Sequence, residues 1–276
     1  MILLALLAAA APLPSASDDA QFAQCARLVK EDAARGAAAA SDWRMKGGGI
    51  SARHCLGLAY AAQERWAPAA TTFDQAADEA EGARDGRLAD FRIQAGNAWL
   101  ADGDAARARA AFDRALATGL LADELRGEVL LDRARAGVAL GDVAGARVDL
   151  DKALALVPAD PLVWHLSSAL ALRQDDVALA RAHADKAVAL APDAADVLLN
   201  AGNAAGRAGD LPAARALFER AARAAPESDA GKAAAAALAA NADPPSAEGV
   251  RPITTPGVGG SRLPPASSPE AAPLPR

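Results

Sequence analysis

Histidine and cysteine are the side chains here most able to act as nucleophiles, bases or metal ligands, and they are few. The 276 residues include three histidines, His54, His165 and His183, and two cysteines, Cys25 and Cys55. His54 directly precedes Cys55, and a cysteine beside a histidine could be an activated thiol. Adjacent residues on a helix do not face each other, however, so this order argues against a nucleophile–base pair.

Other patterns typical of enzymes and cofactor sites are incomplete. His165 and His183 are eighteen residues apart, and no cysteine or Glu-His pair completes a zinc set around them. The glycine run at residues 47–49 is not followed by the Lys-Ser or Lys-Thr of a phosphate-binding loop. We therefore predict no catalytic site, no bound metal and no cofactor.

Whether the two cysteines are bonded depends on the cellular compartment of the protein. In an exported protein an even number of cysteines suggests a disulfide. Cys25 and Cys55 fall on predicted neighbouring helices, which makes a bond geometrically feasible without requiring it. Two interpretations stay open, a Cys25–Cys55 disulfide or two small buried thiols.

The N-terminal residues indicate export. Residues 1–11 are apolar but too few to span a bilayer, and Ser15 and Ser17 offer a signal-peptidase site before Asp18. We expect residues 1–17 to be a signal peptide, leaving a periplasmic or secreted bacterial protein without a stable membrane span. No positive charge follows Met1, so the alternatives are a retained segment and a start codon set too far downstream.

Composition narrows the classes of partner and fold. The formal net charge is −6, and hydrophobic residues make up 52% of the chain while aromatic residues make up 4%. Abundant alanine suits thin, close-packed helix pairs, because alanine is the best helix former. An acidic chain without a basic stripe is a poor nucleic-acid binder, so we expect no nucleic-acid partner.

The dominant pattern along the chain is a register that returns every 34 residues. Residues 127–160, 161–194 and 195–228 follow one another without a gap, and two further copies occupy residues 50–83 and 89–122. Gly-Asp interrupts the second, third and fifth copies midway, where glycine can end one helix and aspartate can cap the next. A period of this length is typical of stacked helical repeats.

The pattern resembles the tetratricopeptide repeat, a pair of antiparallel helices. In the fifth copy the matching residues are Ala201, Gly202, Ala205, Ala214, Phe218, Ala221 and Pro226. Copies three and four depart from the pattern: Arg133–Ala134 and Ser167–Ser168 stand where the first copy has Leu56–Gly57. In copy four Ala184 also replaces the aromatic residue. The resemblance implies an all-α, right-handed superhelical solenoid forming one elongated domain.

Segments on both sides of the repeats complete the expected domain organisation. We expect residues 18–49 to be a capping helix pair, and the alanine-rich helix that ends at residue 240 to cap the other end. Residues 241–276 are rich in proline, serine and glycine, and should be disordered because they cannot bury enough apolar surface. This tail would be a spacer or a short-motif ligand for another protein.

The resemblance also implies a binding surface, because in this family the first helix of each pair lines the concave groove. The candidate groove residues are Asn97, Arg135, Leu162, His165, Arg173, Leu199, Asn203 and Arg207. Asparagine can hold a peptide backbone by donating and accepting, arginine can pair with carboxylates, and leucine can take apolar side chains. The alternative is that the asparagines are common repeat residues and the charges are merely solvated.

These observations predict a monomeric scaffold or adaptor that binds an unidentified protein or peptide in the groove. A self-assembling structural component of the envelope is an alternative, although capping segments at both ends argue against open-ended stacking. An accessory subunit of an envelope enzyme complex is a further alternative. The partner itself is not fixed, because a fold does not imply a function.

Overall fold

The computed structural model describes residues 16–241, and that part of the chain consists of thirteen α-helices joined by short turns, with no strand. Residues 1–15 of the expected signal peptide and residues 242–276 of the expected tail lie outside the described residues. Both of these expectations therefore stay predictions.

The helices divide into two compact units, with the boundary between Ala122 and Asp123. Unit 1 contains α1 (Ala16–Glu31), α2 (Ala33–Met45), α3 (Gly49–Ala62), α4 (Trp66–Ala83), α5 (Leu88–Asp102) and α6 (Ala105–Ala117). Unit 2 contains α7 (Asp123–Ala139), α8 (Val143–Leu156), α9 (Pro161–Arg173), α10 (Val177–Leu190), α11 (Ala195–Arg207), α12 (Leu211–Ala224) and α13 (Asp229–Ala240). The boundary falls between the second and third predicted repeats.

Each predicted repeat holds one helix pair, from α3 and α4 in residues 50–83 to α11 and α12 in residues 195–228. The helices α1 and α2 precede the first repeat, with α1 beginning two residues before the expected cap of residues 18–49, and α13 follows the fifth repeat. Within each unit consecutive helices pack on each other, and α9 also packs on α11. The first helices of the fourth and fifth repeats therefore lie side by side.

Aspartate side chains begin the second helices of four repeats. Asp104, Asp142, Asp176 and Asp210 each accept a hydrogen bond from a backbone N–H in the first turn of α6, α8, α10 and α12. This satisfies a backbone donor that has no partner within the helix. The Gly-Asp pattern correctly indicates these starts, and copy four uses Asp175, with a φ of 60°, in place of glycine.

The core of each pair is made of buried alanines packed around one larger side chain. Phe73, Phe112, Leu150 and Phe218 are all buried at the equivalent position of copies one, two, three and five. Copy four has the fully buried Ala184 there. Small residues let the two helices of a pair approach closely around this larger side chain.

The polar side chains by which copies three and four depart from the repeat pattern have polar partners on the second helix of the same repeat. Arg133 donates two hydrogen bonds to Asp149, at 2.8 and 2.6 Å. Ser167 Oγ lies 2.7 Å from Nδ1 of His183. Both pairs are sixteen residues apart and span the two helices of one repeat, so each polar side chain is satisfied inside the pair.

A disulfide joins α1 to α3. Cys25 and Cys55 are bonded in the structure, with their Cα atoms 6.3 Å apart. Both are buried, in a core cluster that includes Val29, Trp43 and Leu56. The bond thus ties the N-terminal cap to the first repeat.

Candidate functional site

Seven of the eight candidate groove residues lie in unit 2, and Asn97 lies on α5 of unit 1. We call the surface that the seven share the first-helix face of unit 2; its members are Arg135, Leu162, His165, Arg173, Leu199, Asn203 and Arg207. On α11 the three members are spaced four residues apart, which places them in one stripe along the helix. Because α9 packs on α11, its stripe lies beside this one.

Two leucines give this face apolar surface. Leu162, near the start of α9, is 36% exposed, and Leu199 on α11 is half-buried beside the core cluster of Leu198, Ala205 and Phe218. An apolar ligand side chain could therefore remove leucine surface from water, which is worth about 25 cal/mol per Å².

Arginines mark the C-terminal ends of α9 and α11. Arg173 is exposed, and Arg207, with 39% of its side chain exposed, pairs with Asp175. Asn203 lies half-buried one turn before Arg207. These groups can donate hydrogen bonds to carboxylates or to peptide carbonyls.

Arg135 has a different setting from the other two arginines. It is buried, and its Nη1 donates to Oδ1 of Asp132 at 2.8 Å on the same helix. Its guanidinium is thus held by an intrachain carboxylate three residues earlier. For a partner to use Arg135, it would have to compete with Asp132.

Two predicted groove residues carry buried polar atoms without a hydrogen-bond partner. Across the described residues such atoms are Oδ1 of Asn97, Nδ1 of His165 and Nε of Arg53. Burial lowers the pKa of His165, while the nearby Asp196 carboxylate acts in the opposite direction. Buried polar atoms are nearly always paired in native proteins, so an unpaired one at a predicted binding position is informative.

Carboxylates gather along the other edge of the first-helix face, where α9 and α11 begin. We call Glu128, Asp132, Asp160 and Asp196 the acidic edge. Partial burial raises the pKa of Glu128, and the charges of Glu124, Asp132 and Asp160 raise it further. Burial also raises the pKa of Asp132, against the lowering effect of Arg135. The sequence signal for this edge is an acidic residue at the second position of copies two, three and five, at Asp90, Glu128 and Asp196.

His54 and Cys55 do not form a catalytic pair in unit 1. The His54 ring stacks on Phe22 with centroids 4.9 Å apart, and its Nε2 lies 3.0 Å from Oε1 of Gln94. Burial, assisted by the charge of Arg87, lowers the pKa of His54 to about 4. Cys55 is held in the disulfide with Cys25, so no thiol stands beside the imidazole.

The Ser167–His183 contact pairs a hydroxyl with an imidazole, as a serine nucleophile and its base would be paired, but a substrate could not reach the hydroxyl. Ser167 is fully buried, and Arg147 Nη2 donates to its hydroxyl at 2.6 Å. A nucleophile must reach the substrate, so this arrangement acts as a polar link between α8, α9 and α10. Within residues 16–241 no three histidine, cysteine, aspartate or glutamate side chains are grouped to hold a metal ion.

A shallow pocket lies between α12 and the loop before α11. It is lined by Asp193, Leu198, Arg220, Arg223 and Ala224. Arg220 Nη2 donates to the backbone oxygen of Pro192 at 2.7 Å, which holds this arginine against the loop. No predicted groove residue lines this pocket.

Comparison with solved structures places the fold among known helical repeats. PilW, a widely conserved type IV pilus biogenesis factor, shares 17% identity with a TM-score of 0.66, covering 79% of this chain and 98% of its own. PilF of Pseudomonas aeruginosa shares 17% identity with a TM-score of 0.64, over 80% of this chain and 97% of its own. YrrB, a TPR protein with an unusual peptide-binding site, shares 16% identity with a TM-score of 0.52, over 71% and 96%.

The amino-acid sequence is not similar enough to known proteins to identify a family. No family model matches the chain, and no curated protein matches it. None of the helices within residues 16–241 is both long enough and apolar enough to cross a membrane.

Proposed function

Because the chain has the fold of tetratricopeptide repeat proteins, we propose that it is a non-catalytic adaptor that binds a protein or peptide on the first-helix face of unit 2. The observation that carries the proposal is the composition of neighbouring stripes on α9 and α11. They combine exposed leucine, two arginines at the helix ends and a histidine whose buried ring nitrogen has no partner.

An extended peptide lying across α9 and α11 would use each of these groups differently. Leu162 and Leu199 would cover its apolar side chains, and Asn203 would bind its backbone as donor and acceptor. Arg173 and Arg207 would take carbonyl or carboxylate oxygens. The peptide-binding site of YrrB, a neighbour in fold, is consistent with a peptide ligand.

We place this activity outside the cytoplasm, in the periplasm or the secreted fraction. The disulfide between Cys25 and Cys55 supports this, because such bonds persist in oxidising compartments and are rare in the cytosol. We also infer a monomer, and α13 supports it by packing on α11 and α12 at the end of unit 2. Light scattering over a wide concentration range tests this, and growth of the mass with concentration would favour the self-assembling alternative.

The proposal is tested by capture from native envelope extract with three baits. One bait is the mature chain, and the second carries Leu199→Glu, Asn203→Ala and Arg207→Glu. The third carries Leu190→Glu and Arg215→Glu, two exposed positions on the second helices α10 and α12, and so makes the same change in net charge. Circular dichroism first establishes that all three baits are folded.

A protein retained by the first and third baits, lost by the second, and then shown to bind the purified mature chain supports the proposal. Equal retention by all three contradicts it, because the contact would then lie elsewhere. Capture of no specific protein by any bait also counts against an adaptor.

A further inference from the structure

The acidic edge of unit 2 consists of carboxylates on, or at the start of, the first helices of three consecutive repeats. Glu128 and Asp132 lie four residues apart on α7, Asp160 caps the start of α9, and Asp196 is in the first turn of α11. Glu128 and Asp196 are exposed, while Asp132 and Asp160 are partly buried. A ligand on the first-helix face would therefore pass beside all four groups.

Three of these carboxylates, Glu128, Asp132 and Asp160, are close enough to repel each other. Asp160 raises the pKa of both Glu128 and Asp132, in addition to the larger effect of burial. Mutual repulsion and desolvation both disfavour the ionised forms, so the folded chain holds like charges together at a free-energy cost. A cation placed among them would relieve that cost, which makes the edge selective for positive charge.

Positively charged side chains of the described residues neutralise only part of this negative charge. Arg135 pairs with Asp132 at 2.8 Å. Asp160 uses one oxygen to accept from the backbone N–H of Leu162 at 2.8 Å, which caps α9 without bringing in a positive charge. Within residues 16–241, Glu128, Asp160 and Asp196 form no ion pair with a lysine or arginine, so Arg135 offsets only part of the negative charge of the acidic edge.

His165 gives an independent indication of a missing donor. Its Nδ1 is buried without a hydrogen-bond partner, and the side chain lies on the same face, within electrostatic reach of Asp196. Burial lowers the pKa of His165 and so favours the neutral ring, against the opposite effect of the Asp196 carboxylate. A neutral imidazole can accept a hydrogen bond at one ring nitrogen, as an ammonium or guanidinium donor requires.

The spacing of the acidic residues fits an organic cation better than a metal ion. No three potential ligands within residues 16–241 are grouped as a metal site. A lysine or arginine side chain is longer, carries several N–H donors and can contact carboxylates on different helices.

We propose that the acidic edge binds lysine or arginine side chains of the partner, so that the ligand of the first-helix face is a basic peptide segment. This inference rests on the proposed function and specifies its chemistry. In an extended ligand successive side chains point to opposite sides. Alternate cationic residues would then reach the acidic edge while the intervening residues cover Leu162 and Leu199.

The test uses three acetylated and amidated eight-residue peptides in which leucine alternates with lysine, glutamine or glutamate. Each is labelled with a fluorophore, and its binding to the full mature chain is measured by anisotropy at low and at physiological salt. The edge variant carries Glu128→Gln and Asp196→Asn. The control carries Asp151→Asn and Asp185→Asn, which remove two exposed charges from the second helices α8 and α10 of the same unit.

We expect the lysine peptide to bind at least about tenfold more tightly than the glutamine peptide, one decade corresponding to 1.4 kcal/mol. The edge variant should lose most of that preference, and the control should keep it. Equal losses in both variants would overturn the inference, because the effect would then come from net charge alone.

Failure of the inference can be told apart from failure of the proposed function. Tighter binding of the glutamine or glutamate peptide, abolished by Leu199→Glu, Asn203→Ala and Arg207→Glu, would refute the cation preference and leave a peptide-binding groove. If none of the three peptides binds, the inference is refuted, and the capture experiment above decides the function by itself.

Discussion

Gly202 on α11 lies directly against the ring of Phe218 on α12, where a Cβ atom on the glycine would stand 2.5 Å from Cε1 of the phenylalanine. The same contact recurs between Gly57 and Phe73, and between Gly96 and Phe112. Each pair is sixteen residues apart. Copies three and four hold Ala134 with Leu150, and Ser168 with Ala184, at these positions. Where the residue on the first helix is larger than glycine, the residue facing it on the second helix is thus smaller than phenylalanine.

This relationship predicts that Gly202→Ala destabilises the protein although alanine favours helices. Overpacking costs about 1–3 kcal/mol, whereas the gain in helix propensity is at most about 1 kcal/mol. Adding Phe218→Leu should recover part of the loss, since it copies the Ala134–Leu150 pair, and a double-mutant cycle by urea unfolding measures the coupling.

Gly206→Ala is the matched control on the same helix. The nearest atom to its added Cβ is the Cβ of Ala214 at 3.8 Å, an ordinary contact. We expect this variant to be unchanged or slightly stabilised. Equal destabilisation by both substitutions would contradict the size-matching explanation.

The ion pair between Arg133 and Asp149 should be important for stability although it replaces apolar residues of the repeat pattern. The Asp149 side chain is only 9% exposed, so Arg133→Ala leaves a buried carboxylate unpaired at a cost of about 3 kcal/mol. Combining it with Asp149→Leu reproduces the Ala201–Leu217 pair of copy five and should be less destabilising than Arg133→Ala alone.

Arg215→Ala serves as the comparison, because its pair with Glu219 is exposed and should contribute less than about 1 kcal/mol. Urea unfolding at two salt concentrations checks both variants. A loss for Arg133→Ala no larger than that for Arg215→Ala would refute the argument.

The disulfide should stabilise unit 1 measurably. Cys25 and Cys55 are 30 residues apart, and closing a loop of that length lowers the entropy of the unfolded chain by an amount worth about 4 kcal/mol. The free energy of unfolding of the double variant Cys25→Ala, Cys55→Ala should be lower by up to that amount, so the variant should unfold at a lower denaturant concentration. Adding reductant should shift the midpoint of the parent protein and leave the double variant unaffected; a shift in both would point to another cause.

His54 should make the protein less stable as the pH falls below neutrality. Its pKa is about 4 in the folded chain and about 6.5 when unfolded, so between these values the unfolded state binds more protons. Its contribution is complete above the unfolded value, and between pH 7 and pH 5 about 2 kcal/mol should be lost.

The variant His54→Gln isolates this contribution, because His165 and His183 are retained. Chemical unfolding between pH 5 and pH 7 should show a shallower pH dependence for the variant than for the parent. Parallel curves would mean that His54 is not held in the neutral form.

The repeat architecture could be predicted from the sequence because its determinants are local and periodic. Small residues recur at fixed positions, and Gly-Asp pairs mark helix ends whose backbone groups need caps, so the register at residues 127–228 leaves little choice of structure. The similarity to PilW and PilF confirms the tetratricopeptide fold and the all-α class. The placement of the candidate groove residues on first helices followed from the same register.

Contacts between helices were decided only by the tertiary structure. The sequence left the state of Cys25 and Cys55 open, since bonding depends on how α1 packs on α3. It also presented Arg133 and Ser167 as departures from the pattern, whereas their partners lie sixteen residues away across the pair. Periodicity determines which face of its helix a side chain occupies. Packing between helices determines which charged side chains come close together, and it is this packing that brings the carboxylates of the acidic edge near each other.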